Sequence, residues 1–165
     1  MVGVNKKLYK INKYKDPKYT SPTLEQRNSV YKSAVGFYDF MIKNVTEYKG
    51  YFRENRDLSN FRNAEKNKPL NLLFMPVGIN FLASIYLHFH KLDELDYLEE
   101  NINKLNFDLY NGHFAFVYFN PAQNRMITNK QTLGKRLALY LLSRFDDTEG
   151  LRHELAIAHN FVEGS

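Results

Sequence analysis

Ten cationic side chains fall into two groups with a spacing suited to gripping a phosphate backbone. The first is Lys6, Lys7, Lys10, Lys13, Lys15 and Lys18, opposed only by Asp16 and interleaved with Tyr9, Tyr14 and Tyr19. Lysines alternating with rings can follow phosphates and stack on bases. The same run also reads as a solvated N-terminal arm, because short charge runs at chain ends are common. The second group is Arg125, Lys130, Lys135 and Arg136, beside a turn and a helix start where an anion is favoured. It could equally pair with the acidic block Asp93, Glu94, Asp96, Glu99 and Glu100, or stay in water.

Other chemistries find less support. His88 and His90 are two apart in a helical stretch and do not share a face, and His113, His153 and His159 have no ligand spacing. The acidic residues fall on the wet face of a helix rather than in a cleft where a carboxyl would be tuned for proton transfer. Gly-rich phosphate loops, Gly-x-Ser-x-Gly and His-Glu-x-x-His are absent. With no cysteine, disulfides, thiolate metal sites and a cysteine nucleophile are excluded. No catalytic residue, metal or cofactor is assigned, although a site assembled from distant positions stays open. Phe114, Phe116, Tyr118 and Phe119 would be a stacking platform if exposed and a packing wall if buried. Burial is the expectation for rings of this size.

The elements that must carry these residues come from a chain of 165 residues, 44% apolar, with 12 Tyr and 13 Phe. That supports one globular core, and not two large ones. The net charge of +5 resides in residues 1–20, since the remainder balances. No apolar run is long enough for a membrane, and the Lys-rich start lacks an apolar signal core, so a cytoplasmic protein with no membrane partner is expected.

Ser21–Pro22–Thr23 with Gln26 reads as a helix start and capping box. Leu24, Tyr31, Ala34, Val35, Tyr38, Met41 and Val45 then give the apolar face of a long helix over about 22–48. Residues 49–69 read as a polar loop, with a helical turn near Leu58–Phe61. Pro76 opens an apolar helix reaching Lys91. A helix over 93–105 follows, with Leu95, Leu98, Ile102 and Leu105 inward. His113–Phe119 and Arg125–Thr128 around Asn120–Asn124 predict a β-hairpin. Thr128 and Gln131 read as a second capping box before a helix over 130–145, with Leu133, Leu137, Tyr140 and Leu141 inward. A last helix spans 148–162, with Leu151, Leu155, Ala158 and Val162 on one side. The 18 asparagines, with abundant Lys, Tyr and Ile, point to an AT-rich genome rather than a mechanism.

Three segments in order carry a family resemblance: Leu72–Leu73–Phe74–Met75–Pro76–Val77–Gly78 before an apolar helix, the aromatic hairpin through Asn120–Pro121–Ala122–Gln123–Asn124–Arg125–Met126–Ile127, and Lys130–Gln131–Thr132 leading a Leu-rich helix with Arg136 and Tyr140. Over about residues 25–145 this order resembles the C-terminal helical half of the DGQHR-motif proteins, the group that includes the DndB-like regulators of DNA phosphorothioate modification. The Asp-Gly-Gln-His-Arg signature itself is absent, so no residue of that motif is carried over. The resemblance implies a place beside DNA-modification or phage-defence genes, DNA binding, and a regulatory role.

The expected protein is therefore mainly α, a basic arm over 1–20 and an α-rich domain over 21–165 with about five helices and one β-hairpin near 113–128. Its leading function is a DNA-associated accessory or regulatory module, with Lys6, Lys7, Lys10, Lys13, Lys15, Lys18, Arg125, Lys130, Lys135 and Arg136 on phosphates. The alternative is a helical interaction or structural module, self-associating or bound to a protein partner, without catalytic activity. An enzyme is the less expected third class.

Overall fold

Pro76, Gly78 and an unbroken apolar sequence place one helix at the centre of a mainly α fold. A computed structural model describes residues 22–54, 62–63, 68–69 and 71–163. Its helices are α1 (Leu24–Asn44), α2 (Thr46–Arg53), α3 (Pro76–Lys91), α4 (Leu95–Asn101), α5 (Gln131–Leu141) and α6 (Thr148–Glu163). Two-residue antiparallel pairs join β1 (Arg62–Asn63) to β2 (Lys68–Pro69) and β3 (Phe119–Asn120) to β4 (Arg125–Met126). The 1–20 arm and the expected turn at Leu58–Phe61 lie outside the described residues.

Pro76 occupies the first turn of α3, where its missing N–H costs nothing. Phe81, Leu82, Ala83, Ile85, Tyr86, Leu87 and Phe89 are all buried, so the helix is covered on nearly every side. It packs on α4, α5 and the 3-10 turn Leu72–Phe74. That turn is held by Asn71, whose Oδ1 accepts from the Leu73 N–H at 2.9 Å, and by the Leu72 N–H, which donates to the Phe107 carbonyl. Gly78 brings α3 against it: a Cβ there would lie 1.8 Å from the Leu72 carbonyl oxygen.

The helix expected over 22–48 is divided. Thr23 and Gln26 form the capping box, but Val45 is extended (φ −88°, ψ 115°), and the chain restarts as α2. Asn103 bridges the break, accepting from the Thr46 N–H at 3.0 Å and donating to the Asn44 carbonyl at 2.8 Å. Val45 itself is fully buried. The inward face also differs from expectation. Val30, Phe37, Phe40 and Met41 are buried, whereas Leu24, Tyr31 and Val35 are 67%, 70% and 40% exposed.

The hairpin near 113–128 is present but short, and residues 113–118 run as turns rather than strand. Phe116 has φ 63°, a left-handed conformation that ends any pleat, and its N–H donates back to the Phe119 carbonyl at 2.8 Å. Phe114, Tyr118 and Phe119 are fully buried, as expected, with Phe114 edge-on to Phe81 at 4.9 Å. Two helices are closed by a left-handed residue, not glycine, two positions after their last helical residue. Asp93 (φ 58°) follows α3, and the Glu94 N–H donates to the Phe89 carbonyl; Ser143 (φ 53°) follows α5, and the Arg144 N–H donates to the Leu139 carbonyl. This closure stops α5 at Leu141, short of residue 145. Tyr140 faces solvent, and the expected Thr128–Gln131 capping box does not form, because the N-cap is Lys130. The acidic helix likewise stops at Asn101 and continues as a 3-10 turn.

Gly78→Ala should destabilise the fold by about 3 kcal/mol or more, because a rigid carbonyl and not a movable side chain blocks the methyl. Gly36→Ala, which meets only the Tyr86 hydroxyl at 3.1 Å, should stay within about 1 kcal/mol of the parent. Urea denaturation of both variants distinguishes a backbone clash from a helix-propensity effect.

Candidate functional site

Arg125 and Lys130 are brought together by the hairpin and the segment that leads into α5. Asn120 is buried at the hairpin turn, and its Oδ1 accepts from the Gln123 N–H at 3.0 Å. Asn124 takes the left-handed position (φ 49°) that closes the turn, and its Oδ1 accepts from the Tyr110 hydroxyl at 2.9 Å. The strand after it returns Arg125 to the surface, and the Ile127 N–H donates to the Tyr118 carbonyl at 2.8 Å. Tyr118 also fixes the start of α5. Its hydroxyl donates to the Gln131 carbonyl at 3.3 Å, and Gly134 lies so close to its ring that a Cβ would come within 2.4 Å. Burial pushes the Tyr118 hydroxyl well above its ordinary range, which keeps it a neutral donor.

Between hairpin, α5 and α6 lies a cleft of about 500 Å³, lined by Asn120, Gln123, Arg125, Asn129, Lys130 and Ile157 among others. A second hollow of about 300 Å³ continues it past Thr132 and Glu154, sharing Asn129, Lys130 and Ile157. The lining combines two cations, three side-chain amides and the Thr128 hydroxyl with the apolar Met126, Ile127 and Ile157. The α5 N-terminus borders it with no side-chain cap, so the first-turn N–H groups add positive potential. Such a lining suits an anionic, hydrogen-bonding ligand. Arg125 makes no ion pair among the described residues.

The other two members of the basic cluster point elsewhere. Arg136 is engaged by α6: it bonds Asp147 at 3.1 Å and also Glu154, with its guanidinium 5.2 Å from the Phe145 ring centroid. Asp147 simultaneously caps α6, accepting from the Gly150 N–H at 3.1 Å. Arg136 is thus a clamp between α5 and α6. Lys135 is half-buried within electrostatic reach of Lys91 and His88, and it does not line the cleft. Burial, and then Lys91, lower its pKa. The acidic block does not neutralise the cluster. Its Glu94 instead accepts from Arg144 at 2.9 Å, and Arg144 lies over the Tyr97 ring at 3.7 Å.

The six arm lysines lie outside the described residues. Asn120, Gln123, Asn129 and Ile157 are the lining residues that sequence reading passed over. The amides read as turn formers, and Ile157 is 54% exposed although it sits in an amphipathic helix. Among the described residues no three His, Asp or Glu side chains converge as a metal site would require. No helix there is long and apolar enough to cross a membrane. Compared with protein-family models, with curated proteins and with solved structures, the chain finds no match.

Lys135→Met should raise stability at neutral pH by less than about 1 kcal/mol, since the charged form is disfavoured in the fold. The unfolded chain holds this proton more tightly, so the parent gains stability as pH rises through the lowered folded value. The advantage of the variant should therefore shrink toward pH 10.5. Thermal melts at neutral and alkaline pH check both the sign and the trend.

Proposed function

We propose that the chain is a DNA-associated accessory or regulatory module that holds phosphate groups in the cleft between hairpin, α5 and α6, with Arg125 and Lys130 as the contacting cations. The observation that carries this reading is that these two residues line one cleft together with three amides. Arg supplies a planar fork for phosphate oxygens, Lys a mobile point charge, and the amides add neutral hydrogen bonds. Lys6, Lys7, Lys10, Lys13, Lys15 and Lys18 add a second, sequence-independent source of phosphate contacts. Lys135 and Arg136 leave the interface, since one is half-buried beside Lys91 and the other is bound to two carboxylates.

The setting, a cytoplasmic DNA-modification or phage-defence system, rests on the likeness of 25–145 to the DGQHR-motif proteins. The Pro76–Gly78 element of that likeness has a structural reason here, the seat of α3 on Leu72. The interaction-module alternative is supported by a different observation, the exposure of Leu24, Tyr31 and Val35 on α1.

Arg125→Ala with Lys130→Ala should weaken binding to duplex and single-stranded DNA and lower the slope of log affinity against log salt by about 2. Arg136→Gln should leave affinity unchanged while lowering the melting temperature. Glutamine at all six arm lysines separates the arm from the cleft. Binding that vanishes with the arm and ignores the double variant would overturn the cleft reading.

A further inference from the structure

The outward face of α1 has the spacing of a helix-pairing seam. Leu24, Asn28, Tyr31 and Val35 recur at intervals of four, three and four. At about 100° per residue they fall within an arc of about 60°, opposite the buried Val30, Phe37 and Phe40. All four are exposed. In heptad terms Leu24 and Tyr31 are d positions and Asn28 and Val35 are a positions. Leu24 and Val35 are apolar and Asn28 and Tyr31 can each donate and accept a hydrogen bond, at the four-three spacing along which two helices pair.

We propose that this face pairs with the same face of a second copy of the chain, with the two helices antiparallel. Flanking charges choose the partner and the direction. Glu25 and Lys32 both occupy e positions, and neither carries a hydrogen bond or ion pair among the described residues. In an antiparallel pair, e faces e. With Leu24 stacked on Val35 of the second copy and Asn28 on its Tyr31, Glu25 and the Lys32 of the second copy fall between the same two layers. The two-fold symmetry makes that ion pair twice. In a parallel pair, g faces e, which would set Arg27 against Lys32 and repel. A hollow of about 610 Å³ flanks the stripe on its e side, against Leu24, Glu25, Asn28, Ser29 and Lys32. The Asn28 amide meets the Tyr31 hydroxyl in the two inner layers, which gives the seam a polar centre with its own partner. Four layers make a small contact, so the pair belongs with transient interfaces, with a dissociation constant in the micromolar to millimolar range. The pairing is independent of the phosphate cleft, which lies on other elements.

Sedimentation equilibrium of the full chain over a series of concentrations tests it. The expected result is a reversible monomer–dimer equilibrium. Lys32→Glu should weaken it at least about fivefold, Glu25→Lys should weaken it similarly, and the double exchange should restore it, with unchanged circular dichroism showing that each variant is folded. Tyr31→Glu should abolish it. A monomer at every concentration up to about millimolar overturns the proposal and leaves the phosphate cleft untouched. Tighter association of Lys32→Glu, or no recovery in the double exchange, overturns the antiparallel arrangement.

Discussion

The approach of α3 to the Leu72 carbonyl is the constraint on which the rest of the packing depends. α3 buries side chains on nearly all sides, so every neighbour must be placed relative to it. Its first turn can sit on the Leu72–Phe74 turn only because residue 78 has no side chain. That turn is tied to Phe107 by a backbone hydrogen bond, and its Leu73 carbonyl accepts from the Tyr48 hydroxyl of α2. One close contact thus sets the position of α2, α3 and the 107–119 segment together. From there Phe114 and Tyr118, both against Phe81, carry the order outward to the hairpin and, through Gly134, to α5.

Electrostatics and packing divide the basic residues between two tasks. Arg136 and Arg144 lie across helix junctions, each with a carboxylate and each over an aromatic ring. These are structural cations, and a protein with eight glycines and two helices that end in a non-glycine left-handed residue uses them where helices turn back. Arg125 and Lys130 sit instead on the rim of a cleft among amides. Arg125 and Arg136, eleven apart in sequence, therefore have different roles, decided by whether carboxylates of the next helix reach them.

Signals with a local cause are legible in the amino-acid sequence. Thr23 with Gln26, Pro76, and the Leu98–Ile102–Leu105 stripe act through neighbours within a turn, and each sits as read. What the sequence does not disclose depends on distant partners. Asn44–Val45–Thr46 looks like helix until Asn103 supplies the missing bonds. Phe116 looks like strand until its N–H turns back to Phe119. On α1, two apolar sets share one helix at opposite faces, and periodicity alone does not say which faces the core. In the site, the cations are visible as a cluster, but their separation into cleft and clamp requires Asp147 and Glu154, which come from the next helix.

The bend at Val45 orders events in time as well as in space. Its bridging side chain lies in residue 103, nearly sixty positions later. A chain emerging from the ribosome exposes residues 24–53 well before that residue exists, and helix formation there is far faster than synthesis. The side-chain bonds that brace the elbow between α1 and α2 can therefore form only once the 102–104 turn has been made.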